Sequence, residues 1–209
     1  MFKYSKAEDV PGYINENQIK CIRDTASQLP KGSKILEIGC GYGKSTWAWL
    51  DELDSSCTLD VVDSWELGVK KLCDDSSTPD DVREFAQQQK NISNRNAAQK
   101  KLFEEIISLH PKFNLLKNIY SEETEKLIKS KTLSNNYNLV YIDGDHTYNS
   151  LYKELLYFSN VDILCGDDYN FKKFKPVTEA VNDFISIPRS NRVLEVDTTS
   201  FFWKITFKK

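Results

Sequence analysis

The sequence predicts an α/β protein: a doubly wound, mostly parallel seven-stranded sheet with helices on both faces, a helical insertion and a C-terminal antiparallel hairpin. Three observations predict it. Short apolar runs alternate with segments of helical spacing over most of the chain. Those runs are apolar throughout rather than at every second residue, as strands covered on both faces must be. The last two extended runs follow one another across a short polar turn, which reads as a hairpin at the end of the sheet.

Taken in order, Asn17–Leu29 carries Ile19, Ile22, Ala26 and Leu29 at helical spacing, and Pro30–Gly32 closes it. Lys34–Ile38, KILEI, is a buried strand that runs straight into glycines. Ser45–Leu53 follows as a helix with Trp47, Leu50 and Leu53 on its inner side. Thr58–Val62 is the second strand and ends in Asp63. Phe113–Ile119, Asn138–Ile142 and Val161–Cys165 are the third, fourth and fifth. Pro176–Ile185 is a helix with proline in its first turn and Val177, Ala180, Val181 and Phe184 on one face. Arg192–Val196 and Phe201–Phe207 form the hairpin around Asp197–Ser200.

One connection is too long for a plain crossover. About 50 residues separate Asp63 from Phe113, whereas a whole strand–helix–strand unit needs roughly 30. Thr78-Pro79-Asp80-Asp81 is a helix start, with Thr as N-cap, Pro at the first helical position and acids at the positive dipole end. Ala98, Leu102, Ile106 and Leu109 mark a second helix, stopped by Pro111. Glu66–Asn96 therefore reads as a helical insertion within one domain spanning 1–209. A lid over the site and a surface excursion or contact in a homodimer are equally open for it.

Composition excludes several classes. An apolar fraction of 40 %, with 11 Phe, 10 Tyr and 4 Trp, is enough for a packed core and rules out a disordered chain. A net charge of -3 provides no field that would recruit nucleic acid or an anionic membrane, so neither is an expected partner. Cys21, Cys40, Cys57, Cys73 and Cys165 are dispersed without a C-x-x-C pair, which reads as reduced thiols rather than a disulfide frame or zinc site. The first 30 residues lack the apolar core of a secretory signal, and no run approaches the ~20 apolar residues that cross a bilayer. A cytoplasmic protein is the expectation.

The segment Glu37-Ile38-Gly39-Cys40-Gly41-Tyr42-Gly43 joins a strand to a helix, the arrangement that brings a ligand against backbone at a helix N-terminus. Spacing separates three ligand classes. A dinucleotide fingerprint needs G-x-G-x-x-G, and counting from Gly39 puts Lys44 at the third position. A phosphate loop needs G-x-x-x-x-G-K-[ST]; Gly43-Lys44-Ser45 is present, but the first glycine falls on Ile38. Acid-x-Gly-x-Gly-x-Gly does fit, and this segment closely resembles the first motif of class I methyltransferases. The resemblance implies a Rossmann-like methyltransferase sheet and an S-adenosylmethionine site. Gly39, Gly41 and Gly43 would lie against the methionine part, and Glu37 would orient its ammonium. Asp63, with Ser64 beside it, ends the second strand roughly 20 residues on, where nucleotide folds place the acid that accepts ribose hydroxyls.

A second constellation is Asp143-Gly144-Asp145-His146 after the fourth strand, with Asp167-Asp168 after the fifth. Neighbouring strands lie about 4.8 Å apart, so their terminal acids can converge on one hard cation. Carboxylates with little nitrogen or sulfur nearby suit Mg²⁺, Ca²⁺ or Mn²⁺ better than zinc. DSWELG at Asp63–Gly68, IDGDHTY at Ile142–Tyr148, GDDY at Gly166–Tyr169 and PVTEAVNDF at Pro176–Phe184 resemble the macrocin O-methyltransferase group and its metal-dependent relatives. That resemblance implies Asp143, Asp167 and Asp168 as ligands of Mg²⁺ or another divalent cation. The chain departs from the group at Phe158-Ser159-Asn160, where a glycine pair usually precedes strand five, and in the Glu66–Asn96 insertion.

The chemistry expected is methyl transfer to a hydroxyl of a small acceptor, a saccharide among the candidates. A metal on that hydroxyl would lower its pKa, Asp143 would hold the metal, and His146 would take the proton. Tyr148, Tyr169 and Trp65 are candidates for lining the acceptor pocket or for packing. Simpler roles also exist: Asp143 and Asp145 as loop formers, Asp167-Asp168 as a turn cap, His146 as a backbone partner. Two other functions remain open from the residues alone. One is a P-loop-like NTPase, from Gly43-Lys44-Ser45 and the strand Leu139–Asp143. The other is a non-catalytic S-adenosylmethionine-binding protein.

Overall fold

The computed structural model describes residues 3–67, 78–89, 95–188 and 192–207. Its sheet has the order β3-β2-β1-β4-β5-β7-β6. The strands are β1 (Lys34–Ile38), β2 (Thr58–Val62), β3 (Leu116–Tyr120), β4 (Leu139–Ile142), β5 (Ile163–Gly166), β6 (Arg192–Val196) and β7 (Trp203–Phe207). The first five pair in parallel, while β7 runs antiparallel between β5 and β6. The helices are α1 (Glu16–Ser27), α2 (Lys44–Glu52), α3 (Asp80–Gln89), α4 (Arg95–Ile107), α5 (Thr124–Lys129), α6 (Tyr148–Tyr157) and α7 (Lys175–Ser186).

Strand residues divide by parity between two cores. Ile35, Leu139 and Tyr141 pack with α1, α2 and α4 on one face. Leu36, Ile38, Val140 and Ile142 pack with α5, α6 and α7 on the other. This two-sided burial is why the strands read as unbroken apolar runs. Parity also carries Glu37 to the face of Ile35, beneath α2.

Several element boundaries differ from the sequence expectation: the strand expected from Val161 starts at Ile163, and the one expected from Phe201 starts at Trp203, after Phe201 at φ +61°. Phe113–Leu115 is a 3-10 turn with Phe113 exposed, and the third strand begins only at Leu116. An apolar run does not show where pairing begins; here the ladder to β2 starts at Leu59↔Leu116. Leu109 follows the end of α4 and is exposed, whereas Ala98, Leu102 and Ile106 are buried. The helix start expected at Thr78–Asp81 is present, with Arg83 N–H bonded to the Pro79 carbonyl at 2.9 Å. Of the Glu66–Asn96 insertion, residues 68–77 and 90–94 lie outside the described residues.

The strand order reverses direction between β1 and β4, which places the crevice of the fold at their carboxyl ends. Backbone bonds continue the ladder into the loops there: Gly39 N–H to the Val62 carbonyl and Asp143 N–H to the Ile38 carbonyl, both 2.8 Å, and Asp63 N–H to the Tyr120 carbonyl at 3.1 Å. The loops bearing the site residues are therefore pinned to the sheet.

Candidate active site

The glycine loop is shaped by what lies against it. Gly39 has φ +85°, and a Cβ there would lie 2.1 Å from the Asp143 carbonyl oxygen. No side chain fits at that position. Gly41 has φ +55° and, by contrast, open space over its Cα, with only Leu67 at 3.8 Å from a notional Cβ. Gly43, also left-handed, opens α2 without a side-chain cap and packs on Ile107 and Phe103 of α4. Gln99 of α4 donates to the Gly41 carbonyl at 3.3 Å, so the helix after the insertion braces the loop.

Glu37 is fully buried. Its Oε2 accepts from the Thr46 hydroxyl at 2.6 Å, and its Oε1 has no partner among the described residues. Burial pushes its pKa up to about 8 against the lowering effect of hydrogen bonds from Ser45 and Thr46, and the charges of Asp143 and Asp63 add to the rise. A buried carboxyl oxygen left without a donor is costly to keep unless a ligand completes it. Asp63 divides its oxygens: Oδ2 accepts from Gly41 N–H at 2.8 Å and Oδ1 from Trp65 N–H at 2.6 Å. It thus ties the glycine loop to the segment after β2, with the Cys40 thiol a second donor to Oδ2 at 3.8 Å and a lone pair left on Oδ1. Burial raises its pKa as well. Ser64 is half-buried, and its carbonyl accepts from Asn96 at 3.2 Å. The open face at Gly41 and the orphan Glu37 oxygen both fit the ammonium-bearing end of S-adenosylmethionine.

At the ends of β4 and β5, Asp143, His146 and Asp168 offer ligand atoms all within 4.8 Å of one another. His146 Nε2 lies 2.8 Å from Asp168 Oδ2 and 3.3 Å from Asp143 Oδ1. Asp143 also accepts from the Tyr141 hydroxyl at 3.2 Å. Burial would depress the imidazole pKa, but the two carboxylates outweigh it and lift His146 to about 10. The ring stacks on Phe174 at 4.2 Å between centroids. Asp168 has φ +66° and Asn170 +62°, so the turn that presents Asp168 is strained.

Asp167 stands outside that trio. Its Oδ2 accepts from the Gln18 amide and its Oδ1 from Asp168 N–H at 2.7 Å, with burial and the charges of Asp143 and Asp168 raising its pKa to about 8. Of the aromatic candidates, Trp65 is buried against Phe103 of α4, a core position. Tyr148 donates to Asp183 and Tyr169 to Asn182, both at 2.8 Å, which ties each to α7. Gln18, Tyr141, Phe174 and Gln99 were not found from the sequence. Gln18 lies 149 residues from Asp167, and no local pattern links them. The N-x-x-Q spacing of Asn15 and Gln18, a capping box, was the one available signal, and it marks a helix start only.

Glycine loop, acid-ended second strand and 3-2-1-4-5-7-6 sheet together define a class I, Rossmann-like methyltransferase. A family profile described as "Methyltransferase domain" matches residues 36–161, more than half of the chain, and the protein belongs to that family. It is an S-adenosylmethionine-dependent methyltransferase. This sets aside the P-loop reading of Gly43-Lys44-Ser45. Comparison with curated proteins gave no match. Among solved structures the fold is similar to the O-methyltransferase TomG from Streptomyces achromogenes, in complex with SAM, at 12 % identity, TM-score 0.61, covering 94 % of this chain and 82 % of that one. It is also similar to an O-methyltransferase from Bacillus cereus in complex with SAH, at 14 % identity, TM-score 0.55, covering 97 % and 86 %. A TDP-rhamnose 3'-O-methyltransferase of calicheamicin biosynthesis aligns at 9 % identity, TM-score 0.56, covering 92 % and 78 %. No helix of the described residues is long and apolar enough to cross a membrane.

Proposed function

We propose that the protein transfers the methyl group of S-adenosylmethionine to a hydroxyl of a small acceptor, with a divalent cation held by Asp143 and Asp168. The observation that carries this reading is the convergence of Asp143, His146 and Asp168 beside the glycine loop. Two carboxylates suit a hard cation such as Mg²⁺ or Mn²⁺. When bound, such a cation would lower the pKa of an acceptor hydroxyl and fix its position. Asp143 and Asp168 would bind it, with Asp167 close enough to contribute charge. Two similar structures are O-methyltransferases in complex with SAM or SAH, and a third is a TDP-rhamnose 3'-O-methyltransferase, which supports oxygen chemistry and a saccharide among the candidates.

The chain's own groups divide the remaining work. Glu37, Gly39, Gly41 and Gly43 would hold the methionine end, and Asp63 with Ser64 the ribose. Displacement at a sulfonium needs the acceptor oxygen in line with the methyl group, a matter of positioning. Between its two acids His146 is a cation at neutral pH and holds the proton. It can accept one from the acceptor only once the carboxylates are engaged elsewhere. Thr78, Pro79 and Asp81 of the insertion border a cavity of about 640 Å³ with Tyr42 of the glycine loop, Lys44 of α2 and the N-terminal segment from Lys3 to Tyr13, which supports a cap beside the glycine loop in one continuous domain. Isothermal titration with S-adenosylhomocysteine, then transfer assays on hydroxylated acceptors with and without Mg²⁺ or Mn²⁺, tests the whole reading. Absence of cofactor-product binding overturns it; transfer that survives chelation overturns the metal.

A further inference from the structure

Beyond Asp168 the chain winds through a tight rim, Asn170-Phe171-Lys172-Lys173-Phe174-Lys175. Phe171 N–H bonds to the Asp168 carbonyl at 3.2 Å, and Phe174 N–H to the Phe171 carbonyl at 2.9 Å. Tyr169 N–H is held by the Phe201 carbonyl at 2.9 Å, and Asn170 N–H by the Thr178 hydroxyl at 2.8 Å. Phe171 lies 5.2 Å from Phe201 and 5.8 Å from Phe174, and Phe174 is the ring stacked on His146. An aromatic wall thus runs from the acid cluster to solvent, fixed by hydrogen bonds on both sides.

The lysines of this wall stand out by their clustering, three in four residues beside the acid cluster. Lys20, Lys100, Lys101, Lys126, Lys129, Lys153 and Lys204 each sit beside a carboxylate. Lys172, Lys173 and Lys175 are exposed, and none makes an ion pair among the described residues; Lys173 Nζ lies 5.2 Å over the Phe174 ring. They also stand where α7 begins, with no acid in its first turn. A cation there is of the wrong sign for the helix dipole. Three uncompensated positive charges within four residues, in a chain of net charge -3, form a local field opposite to that of the protein and of the adjoining acids.

We infer that the acceptor carries a phosphate or diphosphate, bound by Lys172, Lys173 and Lys175, while its hydroxyl reaches the acid cluster past Phe171 and Phe174. This rests on the methyltransferase reading above and names the acceptor class of that site. The anion takes no part in the transfer: the hydroxyl oxygen gains the methyl group, its proton goes to the protein, and S-adenosylhomocysteine leaves.

The test is calorimetry in EDTA at physiological salt. S-adenosylhomocysteine is titrated first; sodium pyrophosphate, UDP-glucose and methyl glucoside are then titrated into the loaded protein. Pyrophosphate and UDP-glucose are expected to bind at least about tenfold more tightly than the glucoside. In the combined variant Lys172→Ala, Lys173→Ala, Lys175→Ala that advantage should vanish with S-adenosylhomocysteine affinity unchanged. Lys126→Ala with Lys129→Ala, the same kind of change on α5, should leave it intact. Anions that bind no better than the glucoside, or that bind the triple variant as well as the wild type, overturn the inference and leave the cofactor reading standing. Failure of S-adenosylhomocysteine itself to bind overturns both. The wild-type comparison does not depend on the variant folding.

Discussion

Around the glycine loop each acid is held by donors of the chain itself, whereas at the ends of β4 and β5 the acids face one another across a single imidazole. Glu37 rests on Thr46, and Asp63 on the N–H groups of Gly41 and Trp65. Asp143 and Asp168 meet at His146, Asp143 also takes the Tyr141 hydroxyl and Asp167 the Gln18 amide; burial, then the neighbouring carboxylate charges, raises the pKa of Asp143 and Asp167. The first region is shaped before a ligand arrives. The second carries an excess of negative charge that a cation would relieve.

The largest expected effect lies in the first region. Gly39→Ala sets a Cβ against the Asp143 carbonyl at a left-handed φ. Binding of S-adenosylhomocysteine should fall by more than about 100-fold, with loss of thermal stability in circular dichroism. Unaltered binding would mean that the loop is not preset.

Asp143→Asn and Asp168→Asn should lower metal-stimulated transfer by roughly 100-fold or more while S-adenosylhomocysteine affinity stays within a few-fold. Equal losses of both would merge the two regions into one. Asp63→Ala is smaller, removing a charged acceptor from two backbone N–H groups. About tenfold weaker cofactor binding is expected by titration, with the metal response retained.

The smallest effect uses a carboxyl outside both regions. Glu154 of α6 is buried with Oε2 unpartnered among the described residues, and burial lifts its pKa to about 8, against the lowering effect of a Thr124 hydrogen bond. The folded state therefore holds a proton that the unfolded chain releases near pH 4.5. Stability from this group is full below that pH and declines as pH rises towards 8. Glu154→Gln should raise the melting temperature by roughly 4 °C at pH 8 and leave it nearly unchanged at pH 4.5. A pH-independent gain would show that burial is not what raises the group. Glu37 has the same shift, yet Glu37→Gln should in addition weaken cofactor binding, which separates a site carboxyl from a packing one.

Much of the fold was legible because its signals are local. KILEI into glycines, proline in the first turn of α7 and the Thr78–Asp81 helix start each depend on residues within one or two turns. The start of β3 was not legible, because pairing with β2 and not apolarity sets where the strand begins. In the candidate site, Gly39, Glu37 and Asp63 were singled out by spacing together with the resemblance of the loop to the first methyltransferase motif. The bond from Gln18 to Asp167 and the stacking of Phe174 on His146 left no trace in the local pattern. The same is true of the grip of Gln99 on Gly41.

By itself the sequence determined the αβ alternation, the class of the glycine loop and which strands end in acids. These follow from spacing and from residue chemistry. Only the tertiary structure decided that His146 joins Asp143 and Asp168 while Asp167 turns to α1. Only it left one oxygen of Glu37 without a donor among the described residues. Neighbouring acids along a chain are interchangeable in a motif. Strand parity and the strained turn at Asp168, together with a helix from the other end of the sequence, fix which carboxylate faces the crevice.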